Sequence, residues 1–284
     1  VVSRVVLQVL GVEDYGVFYV VWGLVYIFGF INDSMTASTQ RFLTFELGTG
    51  NKQRLHEVFI TSVHIHFLIS LIVILLSETG GLWFLLEKMV IPEGRQTAAL
   101  WCYQLSVVTA VAEVMSCPYQ SVIIAREKMS AFAYISIVDA VLKLAIVGML
   151  LLSDYDRLIV YAILYTCEKL LIRLIYNIYC TKHFEESRYR WFYDKSLFGK
   201  MSSFAGWSMF GNLAYVLYTQ GPNMLLNVFF GPVANAAQAA ASQAQNAIVQ
   251  FSRNFQVAIN PQITKTYASE QLEEMHLLIF RGRR

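Results

Sequence analysis

Apolar stretches of roughly 20 residues follow one another along the chain, at about 15–40, 58–78, 100–121, 132–152, 158–180, 203–227 and 235–258, after a shorter apolar start at 1–10. A hydrocarbon layer about 30 Å thick takes about 20 helical residues to cross. Backbone groups cannot be left open to lipid, so each crossing must be helical. The pattern therefore predicts an all-α protein, a polytopic bundle of transmembrane helices in which 1–10 is the end of a first helix. A water-soluble fold does not fit: 56% of the 284 residues are hydrophobic and 15% charged, which is too little polar surface to face water.

The connections carry charge unequally. Loops 41–57, 121–131 and 181–200 and the tail 261–284 hold 14 Lys and Arg residues, against three (Lys88, Arg95, Arg157) in the intervening 80–99 and 153–157. Short loops rich in Lys and Arg stay on the cytoplasmic side, which predicts that face for the basic set and for the N-terminus of the intact chain. Trp22, Trp83, Phe84, Trp101, Trp191 and Phe192 fall near span ends, where amphipathic rings favour the headgroup region. The basic, aromatic segment KHFEESRYRWFYDKSLFGK (182–200) reads as a linker along the cytoplasmic surface. The expected organisation is a first lobe over 1–180, a linker over 181–202 and the start of a second lobe over 203–284. The chain opens in mid-pattern and stops at FRGRR, so it reads as part of a longer protein. A faint echo supports two lobes: VLQVLGVEDYG (6–16) leads into a span ending TQRF, and LNVFFGPVANA (226–236) into one ending PQIT.

Ionisable residues inside the spans are the strongest chemical signal. Asp139 and Lys143 are one turn apart in 132–152, a spacing that lets them pair. Glu168 and Lys169 are central in 158–180, with Arg173 one turn on; Glu113 is central in 100–121; Asp33 and Arg253 lie in the cytoplasmic halves of their spans. An unpaired charge at the bilayer centre costs at least ~2.5 kcal/mol, so such groups should face a bundle interior or a wet cavity. Two readings stand side by side: ion pairs that lock helices together, and a polar cavity for a charged substrate. Tyr161, Tyr165, Lys169, Arg173 and Tyr176 recur at three- or four-residue steps, a stripe of rings and cations suited either to a sugar pyrophosphate or to interfacial anchoring. Gln238, Ser242, Asn246, Gln250 and either Arg253 or Asn254 form a second polar ladder on an Ala-rich helix, which fits close packing or a cavity wall equally. Gly221-Pro222-Asn223 should bend its helix, and Pro118 should shape its own.

Other chemistry is not indicated. HExxH, GxSxG, Walker A and aspartate-rich metal patterns are absent from the sequence, so no catalytic residue, metal or cofactor is expected, and no nucleic-acid partner fits a net charge of +2. Cys102, Cys117, Cys167 and Cys180 lie in apolar stretches and read as buried small hydrophobes. His64 and His66 are two apart, point to different sides of a helix and read as packed or interfacial.

LGVEDYGVF (10–18), TQRFLTFELG (39–48), IIAREKMSAFAYISIVDAVLKL (123–144), FFGPVANAAQAAASQAQNAI (229–248) and NPQITKTYA (260–268), in that order, resemble the polysaccharide-biosynthesis flippases. These are relatives of the multidrug extruders in the multidrug/oligosaccharidyl-lipid/polysaccharide exporter superfamily. The resemblance implies a two-lobed, MATE-like fold with a central cavity, of which this chain holds the first lobe and the opening of the second. It also implies a bacterial cytoplasmic membrane, a polyprenyl-pyrophosphate-linked oligosaccharide as substrate, H+ or Na+ as coupling ion, and other polysaccharide-assembly membrane proteins as partners. Arg4, Lys143, Lys169, Arg173 and Arg253 could supply the cavity's cationic lining, while Asp33, Glu113, Asp139 and Glu168 nearly balance them; Tyr165, Asn246 and Gln250 complete the candidate set. A cation-coupled multidrug extruder of the same fold is the alternative. A membrane-embedded glycan polymerase or transferase is a second, disfavoured by the short, plain 80–99 loop.

Overall fold

The computed structural model describes residues 2–26, 29–87, 89, 91, 94–153, 155–212, 214, 249 and 255–282, and they are overwhelmingly helical. α1 spans Val2–Tyr26, α2 Gly29–Thr49, α3 Lys52–Leu76, α4 Leu82–Glu87, α5 Gln96–Ala125, α6 Met129–Leu151 and α7 Arg157–His183. Further helices cover 195–212, 255–268 and Leu272–Gly282. The expected end of a first helix at residue 10 corresponds to a sharp bend at Gly11, whose φ of 80° and ψ of 168° cost only a glycine little. Several expected loops are shorter than the charge pattern suggested. α2 runs on to Thr49, and α3 begins at Lys52 with Asn51 as its cap, accepting from the Arg54 backbone N–H at 3.0 Å. Hydropathy marks where a helix leaves the apolar layer, and Arg41 or Lys52 can sit on a helix that simply continues beyond it.

Three described helical stretches, Lys52–Glu87, Gln96–Ala125 and Met129–Leu151, are long and apolar enough to cross a membrane. α7 is as long, but it carries Glu168, Lys169 and Arg173 at its centre. Most of the 203–227 and 235–258 spans, with Gly221-Pro222-Asn223 and the second half of the sequence echo, lies outside the described residues. α5 is the hub, packing against α1, α2, α3, α6 and α7. α6 lies outermost, with Tyr134, Ile137, Val141, Leu144 and Met149 exposed, as does the outer half of α3. An apolar exterior of this kind belongs in lipid, and the chain is a multi-pass membrane protein.

Two apolar cores stack along the bundle. One gathers Leu43, Phe59, Ile123, Ile135, Ile172 and Cys180 at the end carrying the basic loops. The other gathers Val21, Leu85, Tyr103, Val107, Leu150 and Leu158 at the opposite end. Small hydroxyl residues let the helices approach: Thr39 and Ser62 meet at 2.9 Å between α2 and α3, and Thr109 donates to Thr166 at 3.1 Å between α5 and α7. Trp22 packs into the bundle, stacking on Phe18 at 4.6 Å and meeting Tyr165 edge-on at 5.2 Å. Cys102, Cys117 and Cys180 are buried as expected, whereas Cys167 is exposed on the outer side of α7.

The 182–200 segment lies against the basic end of the bundle. Glu186 accepts from Arg126 at 2.6 Å, and its carbonyl meets His56 Nδ1 at 3.0 Å. His64 Nε2 lies 3.1 Å from the Tyr189 hydroxyl, and His66 is buried on the opposite side of α3. Asp194 caps the 195–212 helix; the backbone N–H groups of Ser196 and Leu197 hold its carboxyl below the usual range, with Arg54 3.6 Å away adding to the effect.

At the other end Arg95 clasps three helices. It precedes α5, donates from Nε to Asp14 of α1 at 2.7 Å and from Nη1 to Asp156 at 2.5 Å. Asp156 in turn caps α7. Arg95→Ala should lower stability by about 2 kcal/mol, the scale of charge-assisted hydrogen bonds. Arg95→Lys should recover only part, since an ammonium cannot fork between two carboxylates. Thermal unfolding in detergent checks this; a loss no greater than that of the surface change Lys200→Ala would show that the clasp holds nothing.

Candidate functional site

Between the two apolar cores lies a layer of charge. Glu113 comes from α5, Asp139 and Lys143 from α6, and Glu168 and Lys169 from α7. Lys169 is its centre: its ammonium lies 3.3 Å from Asp139 Oδ1, 3.7 Å from Glu113 Oε1 and 3.7 Å from Glu168 Oε2. Lys143 pairs with the other Asp139 oxygen one turn away, as the spacing predicted. Tyr165 faces the Lys169 ammonium at 5.4 Å from the ring centroid and joins it to the aromatic group of Phe18, Trp22 and Tyr161. An ammonium among carboxylates and over a ring gains both Coulombic and cation–π attraction where water is scarce.

Glu168 is the outlier. Its side chain is 2% exposed, no N–H or hydroxyl donor among the described residues reaches either carboxylate oxygen, and its carboxyl adjoins that of Asp139. Burying a charge is tolerable only with pairing and hydrogen bonds together, and Glu168 has the pairing without an N–H or hydroxyl donor. Its neighbours Glu113 and Asp139 are partly exposed and open onto a cleft of about 340 Å3. Ser116, Gln120 and Ser136 add polar groups to this cleft, and Tyr176 and Ile172 close it toward the basic end. Sequence reasoning missed Ser116, Gln120 and Ser136. Their signal was present: 113, 116 and 120 on α5, and 136, 139 and 143 on α6, each follow three- and four-residue steps on one face.

The candidate set is thus partly assembled. Glu113, Asp139, Lys143, Tyr165, Glu168 and Lys169 converge. Arg173 does not: it lines a separate crevice with Ile74, Glu78 and Gln104, on the side of α7 away from the cleft. Helix geometry gives the reason. Each four-residue step precesses by about 40°, so the stripe rotates about 120° from Tyr161 to Arg173 and returns to about 60° at Tyr176. The side chains of Arg4 and Asp33, and Asn246, Gln250 and Arg253, with the polar ladder from Gln238, lie outside the described residues.

Carboxylates outnumber cations in the layer, three to two. Both lysines are engaged with carboxylates of the layer, and the side chains of Arg4 and Arg253, also expected to supply positive charge, lie outside the described residues. Chemically it is suited to receive a small cation.

The whole chain shares its fold with known transporters. It is similar to a MATE solved in complex with MaL6 (13% identity, TM-score 0.72) and to MATE in the bent conformation (12%, 0.70). It is also similar to a MOP superfamily transporter from Pyrococcus furiosus, described as having a binding pocket of reversed polarity that suggests a different function (12%, 0.68). In each case 99% of this chain is covered and 63% of the other, so the chain spans less than two thirds of the length of these structures. No protein-family model matches the chain, and no curated protein matches it in sequence. The fold is therefore the all-helical, MATE-like one.

Proposed function

We propose that the protein is a cation-coupled transporter that flips a polyprenyl-pyrophosphate-linked oligosaccharide across the bacterial cytoplasmic membrane for surface polysaccharide assembly. In this reading 1–180 forms the first lobe, 181–202 the linker and 203–284 the opening of the second, with the basic loops facing the cytoplasm. The observation that carries it is the buried Glu168 carboxylate, reached by no N–H or hydroxyl donor among the described residues, behind a polar cleft in mid-bundle. A proton or Na+ arriving through the cleft supplies the third positive charge for three carboxylates that share two lysines. Arrival and departure of that ion would re-pair Lys169 among Glu113, Asp139 and Glu168, which belong to three different helices. Ion binding at the layer would thereby bias the packing of α5, α6 and α7. The oligosaccharide assignment is supported by the resemblance of the 10–18, 39–48, 123–144 and 260–268 segments to flippases.

A multidrug extruder is the second reading, favoured by the excess of carboxylates in the layer. Both readings meet in one experiment with the full-length gene in a strain lacking its own copy. Glu168→Gln preserves shape and removes the charge; it should cut surface polysaccharide at least tenfold with membrane abundance unchanged. Unchanged polysaccharide together with newly acquired drug sensitivity would instead assign the extruder. Wild-type levels of both would sink the ion-coupling role of Glu168.

A further inference from the structure

A second and larger cleft, of about 560 Å3, opens at the end carrying the basic loops, between α2 and the 255–268 helix. Its polar lining is unlike that of the ionic layer. Arg41, Gln40, Asn260 and Tyr267 all carry side-chain N–H or O–H donors, and none of these meets a protein acceptor among the described residues. No carboxylate lines the cleft among the described residues. Arg54, Arg126 and Lys265, at the same end, are each tied to a carboxylate. Arg41 instead rests on the face of Phe204, its guanidinium carbon 4.6 Å from the ring centroid. Stacking fixes the guanidinium plane and leaves its N–H edges free, the arrangement that suits a planar or tetrahedral oxyanion. Phe45 and Ile263 add an apolar wall to the same cleft.

A guanidinium without a carboxylate partner among the described residues, with amide and hydroxyl groups that can also donate around it and an apolar wall beside it, suits an anionic, acceptor-rich head joined to a hydrocarbon tail. We infer that the cleft between α2 and the 255–268 helix binds a phosphate-bearing amphiphile, its head on Arg41 and its tail along Phe45 and Ile263. Two sources share this chemistry: an isoprenyl pyrophosphate carrier and an anionic phospholipid of the surrounding leaflet. The site itself rests on the cleft's own donors; only its identification with the transported lipid rests on the function proposed above.

The test is direct binding of radiolabelled farnesyl pyrophosphate to the intact protein in dodecyl maltoside, which carries no phosphate. Saturable binding is expected, weakened about tenfold or more by Arg41→Gln, the loss of a charge-assisted pair. A smaller loss, about threefold, is expected from Tyr267→Phe, which removes one hydroxyl from an exposed residue and keeps the ring. Lys200→Ala, an exposed change outside the cleft, should leave binding unchanged, and binding in detergent without an ion gradient reads failure of this site separately from failure of ion coupling. Phosphatidylglycerol competing as well as unlabelled farnesyl pyrophosphate assigns the site to leaflet phospholipid; weak competition assigns it to the isoprenyl carrier. No saturable binding, equal competition by uncharged farnesol, or full binding by Arg41→Gln overturns the inference.

Discussion

Lys169→Met should destabilise the protein by about 3–5 kcal/mol, the cost of removing one partner from a buried charge cluster. The side chain is 13% exposed and is the positive group closest to Glu113 and Glu168. Met fills a similar volume, so the loss reports charge rather than a cavity. Three carboxylates would then face one another with only Lys143, already committed to Asp139, to offset them. Repulsion should spread to the helix contacts, because the three acids sit on α5, α6 and α7. Thermal unfolding in detergent measures the effect. Glu113→Gln with Asp139→Asn in the same chain should restore more than half of the loss, since neutral amides no longer repel. A Lys169→Met protein as stable as wild type would show that the layer contributes nothing to folding and exists only for transport.

Gly48→Ala should loosen the contact between α2 and the 255–268 helix. A Cβ placed on Gly48 would lie 2.5 Å from the Lys265 carbonyl oxygen and 2.5 Å from Ala268 Cβ. The first of these is backbone and cannot rotate away, so the helices must part. Overpacking of this kind costs about 1–3 kcal/mol. It would also stretch the bond between Lys265 Nζ and Glu127, 2.6 Å long in the closed contact. Glu127 closes the α5–α6 turn with a φ of 57°, a position where glycine is the usual choice. Glu127→Gly should therefore relax the turn while removing the ion pair. Hydrogen exchange across 255–268 distinguishes the two: Gly48→Ala should speed it at least tenfold, and Glu127→Gly less. Protection unchanged in both variants would show that the contact is incidental.

The sequence made the bundle legible because lipid imposes a single rule, an apolar stretch of fixed length, on every crossing. It made the ionic layer legible because a charge in such a stretch stands out: Glu113, Asp139, Lys143, Glu168 and Lys169 were found that way and do converge. Arg173 lines a different crevice because a four-residue step looks like a straight stripe but winds around the helix. The contacts of Trp22 were not legible, because an aromatic near a span end looks the same in sequence whether or not it packs on Phe18 and Tyr165. The Arg95 clasp on Asp14 and Asp156 was invisible, since its members are separated by 81 and 61 residues and none stands in a motif. The Arg41 cleft escaped for a related reason: Arg41 counts as one more basic residue near a loop until Phe204 and Tyr267 are brought to it.

The order in which the charges occur along the chain matters for how such a helix set enters a membrane during synthesis. α6 brings Asp139 and Lys143 one turn apart, so the segment can leave the insertion machinery as a neutral pair formed within itself. α7 brings Glu168 and Lys169 as adjacent residues that pair within the segment, with Arg173 one turn on as a further cation. Within the ionic layer Glu113 of α5 arrives without a cation on its own helix, and it must wait for Lys169, 56 residues later, to be matched. Until then α5 is the helix least settled in lipid, although its flanks already rest on α1, α2 and α3. Assembly of the hub is thus completed by α7.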